Sequence, residues 1–364
     1  LYSYSFAPNA AWSRVFAGQA EIKRYLQDTA ERQGVLPYVR FQHEALKTYW
    51  SDAKSCWIIE TNQGEFRARF AIMACGPMHE PVLPKVQGLD SFEGEIFHSS
   101  RWRHDIDLRG KRVAVIGTGA SAIQFVPEIQ PLVKHLSVFQ RTPHWVLPKM
   151  DQTLPPLVQR LFKHLPLAQL AVRGAVFGIF ETLNGGMQNI AAMKQFQRLA
   201  LFNLRRTVKD PELRQRLTPN YVTGCKRVLQ SNQWYPALVQ KNVDVISSAL
   251  AEVRGKTLIA ADGSEHEVDV IILGTGFEVA EPPIAKRVFN RHGVSMADVW
   301  QGSPEGYLGT MVGDCPNGFL MFGPNIAVSS SAFLIIEAQL TYIVDAITQA
   351  RAQGITSIET NPER

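Results

Sequence analysis

Two kinds of hydrophobic spacing alternate along this 364-residue chain. Apolar positions at helical spacing run through Glu21–Gln33 (EIKRYLQDTAERQ) and stop at Gly34. Short runs with the two-residue period of strands follow at Val39–His43, Ala45–Trp50 and Cys56–Thr61, and Glu65–Ala74 reads as a buried strand. Turn signals at Ser51-Asp52 and Asn62-Gln63-Gly64 separate them, so the series predicts a small antiparallel ribbon feeding that strand. A Pro-rich connector, Glu80–Phe92, marks a crossing between domains. Gly110-Lys111 then lead into Arg112–Ile116 (RVAVI), a continuous apolar run that predicts a buried parallel strand. It ends in Gly117-Thr118-Gly119-Ala120-Ser121-Ala122, the helical pattern AIQFVPEIQPLV continues, and a strand at His135–Gln140 closes a βαβ unit. From Pro148 to about Thr218 the periodicity is helical with almost no strand signal, which predicts a helical insertion. Strand patterns resume at Val243–Ile246. A hairpin turning at Asp262-Gly263 follows, then a second buried run, Val268–Leu273 (VDVIIL), that ends in GTGF. An amphipathic helix over about Ala332–Arg351 closes the chain, and no repeat is visible.

Composition narrows the class. Hydrophobic residues make up 45%, charged residues 20% and aromatic residues 10%, a globular balance that excludes disordered, collagenous and coiled-coil chains. The 38 Lys+Arg exceed the 33 Asp+Glu by only 5, which argues against a nucleic-acid partner and leaves room for a phosphorylated small ligand. Cys56, Cys75, Cys225 and Cys315 are scattered without a CxxC or Cys/His cluster. That excludes a disulfide scaffold, a metal centre and a dithiol redox pair, and reads as a cytoplasmic protein with reduced thiols. The most apolar stretches, Leu165–Leu183 and Ala332–Ile347, are broken by Arg173, Glu181, Glu337 and Asp345, so neither predicts a membrane span. No signal peptide opens the chain.

The chemistry concentrates at the first glycine-rich turn. Strand, GxGxxA and helix stand in register: Gly117 permits a tight turn, Gly119 lets backbone approach a pyrophosphate, and the small Ala122 allows close helix–strand packing. The helix start behind Thr118, Ala120 and Ser121 supplies amide hydrogens and a positive dipole end. An NAD site places a carboxylate at the end of the next strand, about 20 residues on. Gln140 stands there instead, followed by Arg141 and Thr142, a guanidinium and a hydroxyl suited to a 2′-phosphate. NADPH is the expected dinucleotide.

Here the residues match a family. Phe92-x-Gly94-x-x-x-His98-x-x-x-Trp102, just upstream of GTGASA, resembles the fingerprint of type I Baeyer–Villiger monooxygenases, within the wider flavin-containing monooxygenases. RTPHW (Arg141–Trp145) resembles that family's NADPH phosphate segment, GCKR (Gly224–Arg227) the segment carrying its active-site arginine, and ILGTGF (Ile272–Phe277) the motif closing its NADPH domain. YLGTMVGDCPNGFLMFGPN (Tyr307–Asn325) resembles a late flavin-domain stretch. Among family members the likeness is nearest to those acting on aryl or long-chain ketones, such as the 4-hydroxyacetophenone monooxygenases.

The resemblance implies an α/β fold of two discontinuous Rossmann-like domains. An FAD domain would span residues 1–83 and 278–364, and an NADPH domain residues 84–147 and 219–277, with a helical insertion over 148–218. It implies FAD and NADPH as cofactors, a small ketone and O2 as substrates, and an ester or lactone as product. Arg227 is then the cation that stabilises negative charge during oxygen transfer, and Lys226 helps Arg141 and Thr142 hold the NADPH 2′-phosphate. His98 and Trp102 fix a domain linker rather than act in proton transfer. Tyr2 lies where the family places a flavin-contacting aromatic, and Cys75-Gly76 stands where it has Thr-Gly.

Two departures accompany the likeness. The family's first GxGxxG, which grips the FAD pyrophosphate, is absent, as is the aspartate that pairs with the active-site arginine. The chain opens at LYSYSF without Met and is read as an internal fragment of a longer enzyme. The competing readings are a flavin monooxygenase that oxidises N or S atoms, a pyridine nucleotide–disulfide reductase, which needs the missing cysteine pair, and an NADPH-binding module without flavin.

Overall fold

The computed structural model describes residues 2–187, 189–324, 326 and 331–361. The chain divides into two compact units. The first comprises Leu1–Glu80, Asp151–Asn184 and Glu278–Arg364, the second Pro81–Met150 and Gly185–Phe277. The helical stretch expected as one insertion is therefore shared. Helices Pro156–His164 and most of Pro166–Met187 belong to the first unit, and Ile190–Thr207 and Pro211–Arg216 to the second.

The second unit is built on a five-stranded, wholly parallel sheet. Its order is Val243–Ile246, His135–Phe139, Arg112–Ile116, Val270–Leu273 and Glu95–His98. RVAVI and VDVIIL are thus neighbours, paired Val113↔Val270 through Ile116↔Leu273. Such strands are apolar throughout because both faces are covered, and alternate residues feed different cores. Val113, Val115, Leu136, Val138, Val270 and Ile272 pack with helices Ala122–Ile129 and Trp234–Leu238. Ala114, Ile116, Phe139, Ile271 and Leu273 face the other way, against Leu250, Val253, Leu258 and Ala260 of an antiparallel meander. The meander turns at Gly263 (φ 86°), where Asp262 Oδ1 accepts from the backbone and hydroxyl of Ser264. The Glu95–His98 strand carries no sequence signal, because four residues are too few to show a period.

The first unit holds a sheet ordered Val288–Phe289, Ala45–Ser51, Cys56–Thr61 and Gly64–Ala68, and a two-stranded parallel pair, Ala71–Met73 with Gly318–Leu320. The expected strand Glu65–Ala74 is broken at Arg69-Phe70, since its two halves join different sheets. The expected strand Val39–His43 does not form. Residues 36–38 make a short 3-10 turn around Pro37, Val39 and Phe41 are exposed, and among the described residues no strand pairs with them. The segment instead lays Arg40 and His43 on the Phe66 ring. The core centres on Trp57, fully buried, whose Nε1 donates to Pro316 O at 2.8 Å. The helix expected over Glu21–Gln33 spans Gln19–Arg32, and the closing helix spans Ala332–Ala352.

One ion pair pins the central strands of the second unit. Asp269 accepts from the Arg112 backbone at 2.9 Å and from its guanidinium at 3.2 and 2.8 Å. The Arg112 side chain beside it lowers the Asp269 pKa from 3.8 to about 2. A depressed carboxylate stabilises the fold above its unfolded pKa and loses that contribution as pH falls through the folded one. Stability of this unit should therefore fall as pH drops from about 4 toward about 2. Asp269→Asn should flatten that part of the urea-midpoint-against-pH curve; an unchanged curve would show that other carboxylates cause the loss.

Candidate functional site

The first glycine-rich turn starts where the Arg112–Ile116 strand ends. Gly117 adopts φ 104°, and its N–H donates to Phe139 O at 3.0 Å. A Cβ on Gly117 would lie 2.5 Å from Gly274 O, so the first glycine of GTGASA and the first of GTGF touch backbone to backbone. Ala122, fully buried, sits 3.6 Å from where a Gly274 Cβ would be, and a larger side chain would hold the helix off the strands. Gly119 differs, with nothing within 4 Å of its absent Cβ. The helix Ala122–Ile129 has no side-chain cap at Ser121, although its Ile123 and Gln124 amides already donate to Gly119 O and Ser121 O. Tight packing behind and an open face in front fit a pyrophosphate at this turn.

The cations predicted to flank it come from two loops that are laced together. Val146↔Leu229 and Leu147↔Gln230 pair as short parallel strands. Trp145 Nε1 donates to Tyr221 O at 2.8 Å, Tyr221 Oη donates to Pro143 O at 3.0 Å, and the two rings meet edge to face. Lys226 Nζ lies 5.2 Å from the Tyr221 ring centroid. Arg141, Lys226 and Arg227 are exposed and make no ion pair among the described residues. Gln140 is buried and spends its amide on Arg216 O at 3.0 Å, so the position an NAD site gives to a carboxylate is filled and neutral. Gly224 (φ 101°) turns the second loop against Met193. The lacing is hidden in the sequence, although both loops carry the same Val-Leu pair, HWVLP and KRVLQ.

The fingerprint residues line the edge of the same sheet. A Cβ on Gly94 would meet Asp269 O at 2.5 Å and the Phe92 ring at 2.6 Å. Trp102 packs edge to face on Phe97 and on Phe125, the latter from the helix behind the glycine turn. His98 is buried, with its ring 5.6 Å from that of Phe277. Its Nδ1 accepts from the Ser100 backbone at 3.1 Å, which assigns the proton to Nε2. Burial lowers its pKa, partly offset by the Gly276 backbone, so the imidazole is neutral near pH 7.

Tyr2, Cys75 and Gly76 lie in the first unit. Tyr2 meets Trp12 edge to face, and burial raises its pKa, with Asp151 adding to the shift. Cys75 is exposed, yet its apolar surroundings push the thiol pKa up, which leaves little thiolate for redox work. Cys75 and Gly76 (φ 68°) border a cavity of about 420 Å³, and among the described residues that line it none carries a charge. Met73, Trp300 and Phe322 form part of its wall, which suits a flat apolar ring and offers nothing to a pyrophosphate. One wall is strained: Phe322 has φ 57°, and the buried Gln339 holds it by accepting its N–H at 2.8 Å while donating to Gly309 O and Thr310 Oγ1. Nothing in the sequence marks Gln339, which looks like any polar position of an amphipathic helix. Asn325, the last residue of the LMFGPN motif, falls outside the described residues. Among the described residues no cluster could hold a metal ion, and no helix is long and apolar enough to cross a membrane.

Comparison with known proteins converges. A family described as flavin-binding monooxygenase-like matches residues 3–170. A Baeyer–Villiger monooxygenase of Streptomyces coelicolor is 44% identical over 356 residues, covering 97% of this chain and 69% of its own length. Cyclohexanone monooxygenase from Rhodococcus sp. Phi1 bound to NADP+ superposes with TM-score 0.86 at 26% identity, over 100% of this chain and 76% of that one. The complex of OTEMO with FAD and NADP gives TM-score 0.86 at 26% identity, over 97% and 75%.

Tyr221→Phe removes one part-buried hydrogen bond of the lacing. It should cost about 1 kcal/mol, read as a lower urea midpoint with an unchanged slope. A midpoint equal to that of the unaltered protein would show that the strand pair alone holds the loops.

Proposed function

This chain belongs to the Baeyer–Villiger monooxygenases of the flavin-binding monooxygenase-like family, and on that premise we propose how its residues divide the work. The reaction is a flavin- and NADPH-dependent oxidation that inserts one oxygen atom of O2 beside a ketone carbonyl, giving an ester or lactone. When bound, the two cofactors supply the reducing electrons and the activation of oxygen. The protein's task is to bind, orient and stabilise charge.

The second unit is the NADPH unit. Its open Gly119 face receives the pyrophosphate. Arg141, Thr142 and Lys226 hold the 2′-phosphate, and the neutral Gln140 makes no claim on a ribose hydroxyl. Arg227, beside Lys226 on the laced loop, is the fixed cation for the negative charge that develops as oxygen reaches the carbonyl. The first unit, with Tyr2 and Cys75-Gly76, is the flavin side, and its uncharged cavity wall suits an apolar ring. Phe92, Gly94, His98 and Trp102 brace the sheet edge near the chain crossing and take no part in proton transfer. The observation that carries the cofactor reading is the set of exposed cations on two laced loops, beyond a strand end without a carboxylate.

Arg141→Ala should weaken NADPH binding through the loss of charge-assisted hydrogen bonds, at about 1.5–3 kcal/mol for each, and leave NADH affinity nearly unchanged. Titration calorimetry with both cofactors decides it, and equal losses would place the 2′-phosphate elsewhere. Arg227→Ala should lower ester formation about 100- to 1,000-fold, with NADPH affinity less affected. Arg227→Lys should rescue little, because an ammonium on a flexible stem does not reproduce the planar fork. Near-normal ketone turnover in Arg227→Ala would assign the stabilising role to another residue.

A further inference from the structure

A surface helix of a globular protein turns its apolar stripe to the core and its polar side to water. In the first unit, Pro156–His164 and most of Pro166–Met187 are held the other way round. Their bonds to the body of the unit are polar. Gln159 donates to Trp12 O at 3.0 Å and Gln169 to Asn9 O at 2.7 Å. Arg173 donates to Ser3 O at 2.9 Å and meets Glu337 at 3.3 Å. Of the shorter helix only Phe162 is buried. The outward side is rich in leucine: Leu157, Leu161 and Leu165 stand four residues apart, and Leu167 and Leu170 continue the row. Leu157 is 77% exposed, Leu167 72% and Leu170 62%. A leucine singly exposed needs no explanation, but a contiguous row marks a contact surface. The charges on this stretch have one sign. Residues 152–180 contain no Asp or Glu, and their charged side chains are Arg160, Lys163 and Arg173. Arg173 is turned inward to Glu337, whereas Arg160 and Lys163 are exposed and make no ion pair among the described residues.

We propose that this face docks the protein on an anionic lipid bilayer, with the two helices lying in the plane of the interface. The leucines enter the boundary between headgroups and acyl chains. Arg160 and Lys163 lay their stems along that boundary and set their charges among the headgroup phosphates. The helices do not need the membrane to expose these leucines, because the bonds of Gln159, Gln169 and Arg173 already hold them with that face outward. The charge pattern selects a bilayer over a second copy of this chain. In a twofold pair the face would meet itself, and Arg160 and Lys163 would find like charge with no carboxylate from residues 152–180 to answer it. A leaflet containing anionic lipid supplies the missing sign.

The test is co-sedimentation of the protein with vesicles of phosphatidylcholine alone and of phosphatidylcholine mixed equally with phosphatidylglycerol. The protein should bind the mixed vesicles and bind phosphatidylcholine alone far less. Leu157→Ser and Leu167→Ser should each weaken binding to the mixed vesicles roughly tenfold and leave the urea midpoint unchanged, since both side chains are exposed. Replacing Arg160 and Lys163 together by Gln should weaken binding about fivefold for each charge removed. No binding to the mixed vesicles, or binding unmoved by the two leucine changes, would overturn the proposal. A urea midpoint lowered by Leu157→Ser and by Leu167→Ser would also overturn it, by showing that these leucines pack against the protein. Sedimentation velocity without lipid gives the remaining outcome. A dimer that either leucine change dissociates would overturn the proposal in favour of a second copy on this face.

Discussion

The second unit depends on one close approach, the contact between the Gly117 and Gly274 backbones. No side chain fits there, since a Cβ on Gly117 would stand 2.5 Å from a carbonyl oxygen. That contact lets the Arg112–Ile116 and Val270–Leu273 strands run adjacent to their ends, and lets the helix from Ala122 settle on them. The pair is pinned at its opposite end by Arg112 and Asp269. Held at both ends, the two strands divide the hydrophobic residues cleanly between two cores. A helical layer covers one face of the sheet and the antiparallel meander the other.

The same constraint decides what the site can hold. Because the backbone packs tightly behind the turn, its open side at Gly119 is the part available to an anion. Arg141, Lys226 and Arg227 are exposed, and the loops beneath them are tied by backbone pairing and by the Trp145–Tyr221 contacts. Order is supplied by the loops and charge by the tips of the side chains. In the first unit a single buried amide, Gln339, likewise holds a left-handed Phe322 against an apolar cavity.

Much of this is legible in the order of the residues. Continuous apolar runs announce the buried parallel strands, because a strand covered on both faces has no polar side to display. GTGASA announces the turn, because a pyrophosphate needs backbone close by and side chains out of the way. The fingerprint, RTPHW and GCKR announce the family, since these spacings are unlike ordinary surface sequence. Gln140, a neutral residue where an NAD site has a carboxylate, announces the cofactor.

The sequence by itself thus determined the elements whose cause is local: periodicity, turn chemistry and the residue types a ligand demands. Only the tertiary structure decided which elements found partners. Val39–His43 has the alternation of a strand, but among the described residues no sheet edge pairs with it, and it remains a loop. Arg69-Phe70 interrupt an unbroken strand pattern because the two halves pair with different neighbours. His144 and Thr223 look unremarkable in the chain, and only burial shows that His144 Nδ1 and Thr223 Oγ1 have no hydrogen-bond partner among the described residues. Pairing and burial join residues far apart in sequence, and their energy does not register in any short window of the chain.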